Sequence, residues 1–295
     1  MMNEGEMMKQ GWLIYSGSDA QTNQTYIDWF IKEAELQDLN LELILREDIS
    51  IGIVANERSI KINGKSVSKP AFVVVRIMDP FLSLYLESCG IAVFNPSSIS
   101  RVCNDKALTH HCISKLNIPM VDTLFFRKNN NPASPPLPYP FVAKETMGRG
   151  GSQVYYIEDH KGWENAVSVI TDDFIVQSSN VKLGKDLRVF VVGREIVGAV
   201  LRESDHDFRA NFKLGGSAKL YTLSEQEKSM IQKIVNHFNF GMVGIDFLIG
   251  TDDGLLFNEI EDVVGSRTLS AVSNINIVWK YVTYIKTTIE KRNSD

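Results

Sequence analysis

The segment GMVGIDFLIG–TDDG–LLFNEIED, residues 241–262, constrains this chain more than any other. Two apolar runs flank a polar turn, which reads as a β-hairpin. Side chains alternate between faces along a strand, so Glu259 and Glu261 share one face of the second strand. With TDDG as a four-residue turn, Gly250 pairs with Leu255 and Asp246 falls opposite Glu259. Three carboxylates then converge on one surface of an otherwise apolar hairpin. Like charges facing each other across a sheet are destabilising, and a divalent cation between them is the simplest remedy. Hard oxygen donors at this density suit magnesium, shared among carboxylates, water and nucleotide phosphates. The alternative is a solvated acidic face.

A second segment, PFVAKETMGRGGSQVYYI at 140–157, puts Lys144 at the end of an apolar strand ahead of Gly148, Gly150 and Gly151. Glycines let backbone N–H groups approach phosphate oxygens, and the lysine adds a point charge. An ordinary hairpin turn is the competing reading. No GK[ST] follows, and a strand rather than a helix comes next, so neither a Walker A loop nor a dinucleotide fingerprint is present. A third set is basic: Arg188, Arg202, Arg209 and Lys213, with Asn211 beside them in DFRANFKLGGSA. Arg188 lies in the apolar strand LRVFVV, where an unpaired charge is costly. Any one of these arginines suits a structural salt bridge, whereas several beside a carboxylate cluster suit an anionic substrate. His110 and His111, adjacent on a helix, do not share a face and read as packing or solvated side chains. GxSxG, HExxH and the kinase HRD/DFG set are all missing.

Along the chain, WLIYS is a short buried strand, GSDAQTNQ a polar loop, and Ile27, Phe30, Ile31 and Ala34 mark a helix. LELILRE and the valine-rich AFVVVRI add strands to a small α/β lobe. Residues 99–117 read as a helix whose main body is capped by Asn104 or Asp105. KNNNPASPPLPYP at 128–140 holds five prolines and reads as an exposed loop. From Phe141 onward strands alternate with turns, with one helix near 161–170. The last third gives a helix over 224–239, the hairpin, and a final helix over about 270–291.

Composition excludes several classes. Lys plus Arg number 31 against 36 Asp plus Glu, a formal net charge of −5. A mildly acidic chain without basic blocks is not built to bind nucleic acid. Cys89, Cys103 and Cys112 fit no CxxC or zinc spacing and read as unpaired thiols. No stretch approaches the roughly 18 apolar residues of a membrane span. MMNEGEMMKQ lacks an apolar run of signal-peptide length. The expectation is a cytoplasmic protein without a membrane partner, with a loose tail before Gly11.

As a set, these segments resemble the ATP-grasp superfamily, and within it the RimK-type amino-acid ligases, from about residue 70 onward. SRVCNDKALTHH is similar to the helix that carries the first ATP-binding lysine, here Lys106, and Lys144 matches the second. GRGGSQV resembles the family's phosphate loop, with Gly148, Gly150, Gly151 and Ser152, and IVQSSN puts Gln177 at the adenine hinge. GKDLRVFVVG, which by the resemblance puts Asp186 among the nucleotide-binding positions and carries Arg188, and DFRANFKLGGSA are near-literal family signatures, while GIDFL and NEIED occupy the metal-ligand positions.

The resemblance implies a mixed α+β and α/β chain with an ATP-grasp fold. An N-terminal α/β lobe (1–98) would precede a central subdomain with the glycine loop (99–178) and a C-terminal subdomain with the metal-binding hairpin (179–295). The two α+β subdomains would clasp ATP. The implied reaction passes the γ-phosphate to a carboxylate and lets an amine displace phosphate from the acyl phosphate, giving an amide. Mg2+, or Mn2+, held by Asp246, Glu259 and Glu261 would neutralise the moving charge. Arg188, Arg202 and Asn211 would steady the acyl phosphate, and Arg76, Arg209 and Arg267 are candidates for substrate carboxylates. Small molecules or peptides would supply acid and amine, and the family's habit is a homo-oligomer, a dimer or tetramer.

Three departures stand out. Ser178 follows Gln177 where the family has an acid, Glu261 stands where it has Asn, and DVVGSRTLS lacks the Ser-Pro-Gly turn that often borders the acceptor pocket. The last of these leaves both glutamate and a different acceptor open. Competing readings are an ATP-grasp kinase acting on a hydroxyl, and a nucleotide-binding regulatory module without turnover.

Overall fold

The computed structural model describes residues 8–130, 132, 134–148, 153–204, 206–209 and 216–292. Its first lobe is a parallel sheet in the order β2-β1-β6-β7, formed by β1 (Lys9–Tyr15), β2 (Leu39–Leu45), β6 (Phe72–Val75) and β7 (Ala92–Phe94). The valines of β6 are buried on both faces, as an inner parallel strand requires. Helices α1 (Gly17–Thr22), α2 (Gln24–Glu35) and α3 (Pro80–Ser88) accompany it. The stretch 17–24, expected to be a loop, is therefore helical except at Asn23, the turn between α1 and α2. Ser16 accepts a hydrogen bond from Asp19 N, and both carboxylate oxygens of Glu47 accept from Gly17 N at 3.1 Å. This lobe also carries, beyond the strands expected there, an antiparallel sheet of β3 (Ile49–Val54), β4 (Glu57–Ile62) and β5 (Lys65–Ser66).

The helical stretch after it divides into α4 (Ser97–Cys103) and α5 (Lys106–Ser114). Asp105 is the cap: its carboxylate accepts from Ala107 N and Leu108 N at 2.9 and 3.1 Å. The second sheet is antiparallel, in the order β10-β9-β11-β8, from β8 (Thr123–Phe126), β9 (Phe141–Glu145), β10 (Val154–Ile157) and β11 (Phe174–Ser178). One face packs Phe141, Ala143, Phe174 and Val176 on Trp163 of α6 (His160–Val169). By alternation the other face bears Lys144, Ile175 and Gln177.

The third sheet, β14-β13-β12-β15-β16, comprises β12 (Val181–Val192), β13 (Glu195–Glu203), β14 (Ser217–Tyr221), β15 (Met242–Gly250) and β16 (Leu255–Glu261). Leu187, Val189, Ala199, Val243, Ile245 and Phe247 turn one face onto α7 (Glu225–His237) and onto Ile99 and Ile113 of α4 and α5. The opposite face is divided along its length. Phe190, Val192 and Met242 join α9 (Ile277–Arg292) and the first lobe in one core, while Asp186, Arg188, Arg202, Asp246, Glu259 and Glu261 make the rest charged. The final helix is two helices, α8 (Arg267–Val272) and α9, interrupted at 273–276. The first lobe is pinned to the third sheet through Asn95. Its amide donates to the carbonyls of Met242 and Asp262 and accepts from Gly241 N and Met242 N.

Candidate active site

The carboxylate face forms by a route the sequence did not show. At the turn Ile249, not Gly250, pairs with Leu255, one residue out of the expected register. A β-bulge at Asn258 then restores the offset, so Asp246 does pair with Glu259 and Gly244 with Glu261. Ligand atoms of Asp246, Glu259 and Glu261 lie within 4.8 Å of one another. An all-carboxylate set of this spacing fits a hard divalent cation.

Across the strand pairs, Arg188 lies opposite Asp246 and donates to both its oxygens at 2.7 and 2.5 Å, and it also reaches Glu261 at 2.7 Å. A side chain at Gly244 would meet Val264 at 2.7 Å and crowd the Arg188 stem, so glycine there opens the path to Glu261. Arg202 donates to both oxygens of Asp186 at 2.6 and 2.7 Å and to Asp246 at 2.9 Å. Burial alone would raise the Asp246 carboxyl, but Arg188 and Arg202 outweigh it and hold it down at about 2. Asp186, expected against the nucleotide, gives both oxygens to Arg202 and so orients that guanidinium.

Two lysines face the carboxylates. Lys106 opens α5 and donates to the carbonyl of Gly148, at the start of the glycine loop. Lys144 donates to Asn258 Oδ1 at 2.8 Å, so the bulge residue that sets the register also positions this lysine. Burial pushes the Lys144 ammonium down to about 8, with Glu259 opposing the shift. Gln177 is buried on the same sheet face, and its amide nitrogen donates to Thr123 Oγ1 and meets His110 Nε2, each at 3.0 Å. Burial lowers His110 to about 4, which keeps the ring neutral. The sequence offered no sign of this contact, since the partners lie 67 residues apart.

Arg76, at the end of β6, is buried and donates to the Val264 carbonyl at 2.7 Å, with its guanidinium 5.7 Å from the Tyr26 ring centre. Among the described residues it has no ion pair. Among the described residues its Nε and the Tyr26 and Ser266 hydroxyls are buried without a hydrogen bond of good geometry, although Ser266 lies within polar reach of Tyr26, and Tyr15 within polar reach of Arg76. Burial raises the Tyr26 phenol, while Arg76 and Ser266 pull it the other way, which places the three groups together. Arg209 is bound to Asp207 at 2.7 Å and lies over the Phe208 ring. Arg267 is exposed on α8 and reaches Asn23 Oδ1 at 3.3 Å. Gly150, Gly151, Ser152, Asn211 and Lys213 lie outside the described residues.

The model of the RimK-like ATP-grasp domain matches residues 103–285, more than half of the chain. The chain belongs to the RimK-like ATP-grasp family. Among its relatives is human N-acetylaspartylglutamate synthase A, 28% identical over 263 residues, covering 82% of this chain and 66% of the synthase, so this chain spans about two thirds of that relative. Glutamate–LysW ligase ArgX of Sulfurisphaera tokodaii is 27% identical over 241 residues, covering 77% of this chain and 86% of ArgX. Solved structures share the ATP-grasp fold. A RimK domain ATP-grasp protein of Sphaerobacter thermophilus superposes with a TM-score of 0.71 at 16% identity, over 93% of this chain and 98% of its own. D-alanine–D-alanine ligase of Bacillus anthracis, solved with ATP, gives 0.73 at 13% identity, over 97% and 99%. The α+β ATP-grasp architecture and the ligase class implied by the motifs are those of this RimK-like family, whose members use ATP and a divalent metal. No helix among the described residues is long and apolar enough to cross a membrane.

Proposed function

We propose that this RimK-like chain uses ATP to activate a substrate carboxylate as an acyl phosphate, which an amine then converts to an amide, releasing ADP and phosphate. The observation that carries the reading is the charged face. Asp186, Asp246, Glu259 and Glu261 are set against Arg188, Arg202, Lys106 and Lys144, four anions against four cations. A nucleotide tetra-anion upsets that balance, so divalent metal is expected to enter with it. Asp246, Glu259 and Glu261 would hold Mg2+, or Mn2+ in its place, and the metal would neutralise charge on the moving phosphoryl group.

Lys106 and Lys144 bind phosphate oxygens, with the backbone of Gly148, Gly150 and Gly151 and the Ser152 side chain closing over them. Gln177 meets the base. Arg188, oriented by Asp246, and Arg202, oriented by Asp186, steady the acyl phosphate with Asn211. The acid is held by Arg76, whose buried guanidinium, without an ion pair among the described residues and set over the Tyr26 ring, is a ready carboxylate site. Arg209 and Arg267 are secondary candidates further out. The lobes 1–98, 99–178 and 179–295 then divide the work as substrate lobe, glycine-loop lobe and metal lobe.

The reading includes a cytoplasmic homo-oligomer, dimer or tetramer, which light scattering checks. Exposed Leu124 and Phe125 on the edge strand β8 support association. The activity test replaces the amine by hydroxylamine and offers pooled small acids with Mg-ATP. ATP-dependent hydroxamate together with ADP is expected. ADP without hydroxamate would point to phosphoryl transfer onto a hydroxyl and against the ligase.

A further inference from the structure

Gln177 is 2% exposed, and its side-chain oxygen is buried without a hydrogen-bond partner among the described residues. Its amide is held in one orientation by two acceptors whose own protons are committed elsewhere. His110 Nδ1 lies 2.8 Å from the carbonyl oxygen of Lys106, which only accepts, so Nδ1 carries the hydrogen. In a neutral imidazole the other nitrogen is then an acceptor, and it faces Gln177 Nε2 at 3.0 Å. The Thr123 hydroxyl donates its one proton to the Val121 carbonyl at 2.9 Å, so it too accepts from Gln177 Nε2, at 3.0 Å. Both contacts demand the NH2 group, and the flipped amide would set oxygen against two lone pairs. The carbonyl of Gln177 is thereby fixed on the sheet face that also bears Lys144.

We infer that His110 and Thr123 form a two-point lock that holds the Gln177 carbonyl as an acceptor for the exocyclic amine of a 6-aminopurine nucleotide, and so select ATP over 6-oxopurine nucleotides. The inference rests on the reading above in which the base lies against Gln177. An adenine amine satisfies the orphaned oxygen. A 6-oxo group would oppose it, acceptor to acceptor, and leave two buried groups unpaired. Both act through Gln177 and are therefore positioning residues.

The test measures binding of ATP, purine riboside triphosphate (no 6-substituent) and inosine triphosphate, each with Mg2+, by calorimetry. Wild type is expected to bind them in that order of decreasing affinity. In the double variant His110→Leu/Thr123→Val the amide is free to turn. ATP should weaken by about tenfold, the worth of one hydrogen bond to a buried group. Inosine triphosphate should tighten by a similar factor, and purine riboside triphosphate should hold. A structural role alone would move all three ligands together, and that result overturns the lock. Each single variant keeps one anchor and should shift the same ratios by a smaller factor, which serves if the double variant does not fold. Gln177→Leu separates the lock from the base position. If it abolishes discrimination while the double variant retains it, the base lies where proposed and the lock is wrong. If it leaves discrimination intact, the base is not at Gln177 and both readings fall.

Discussion

Acidification from pH 7 to pH 5 should destabilise the fold through His110 by about 2 kcal/mol. The ring is 1% exposed, and burial lowers it to about 4, against 6.5 for an unperturbed imidazole. Between those values the unfolded chain binds a proton that the folded chain refuses. Stability from this group is therefore fully present above 6.5 and is lost as pH falls toward 4. A gap of about 2.5 pH units corresponds to about 3.4 kcal/mol in all, of which about 2 falls between pH 7 and 5. The assay is urea unfolding at pH 7, 6 and 5 for the wild type and His110→Leu, because the variant subtracts every other titrating group. The wild type should lose about 2 kcal/mol more than the variant over that range. Parallel losses in the two proteins would refute the reasoning. So would an NMR titration of the His110 ring with its midpoint near 6.5.

Three further outcomes follow from the site. Asp246→Asn leaves Arg188 and Arg202 facing one anion fewer; it should cost about 3 kcal/mol in denaturant unfolding and abolish metal-dependent ADP release. Nucleotide phosphates should raise the Lys144 ammonium from about 8, so ATP binding near pH 8.5 should take up a fraction of a proton. Calorimetry in buffers of different ionisation enthalpy measures that uptake, and proton release would contradict it. Arg76→Met should raise the KM for the acid substrate by at least about tenfold while leaving the affinity for ATP in place, which initial-rate kinetics and nucleotide titration separate.

Much of the site was legible because it is written in short segments. Strand alternation alone puts Glu259 and Glu261 on one face, and Asp246 opposite Glu259 follows from counting back across a four-residue turn. That count is right at the carboxylates for an incomplete reason. The turn pairs Ile249 with Leu255, and the bulge at Asn258 restores the offset. A bulge leaves no local mark when the inserted residue is an ordinary polar one. Arg188 in an apolar strand signalled a partner, but only the strand order showed that partner to be Asp246. The helix at 17–22 was hidden for a similar reason, because Glu47, thirty residues on, accepts from its first N–H group. His110 was read as a packing side chain, and the ring does pack edge-on against Phe257. Its contact with Gln177 depends on how α5 docks on the second sheet, which no window of sequence contains. The strands at 49–66 and helix α3 have local signals of their own, the Asn63-Gly64 turn and the Asp79-Pro80 start, which lie outside the apolar runs that mark the other elements of the first lobe.

The most direct test of the ligase assignment is ADP release from Mg-ATP with pooled amino acids and small acids, with the same mixtures analysed by mass spectrometry. The account predicts ADP that depends on both an acid and an amine, with one new product heavier than its acid by one amino-acid residue. Nucleotide binding with no ADP and no new mass from any pool, peptides and protein acceptors included, would contradict it and leave a nucleotide-binding module in its place.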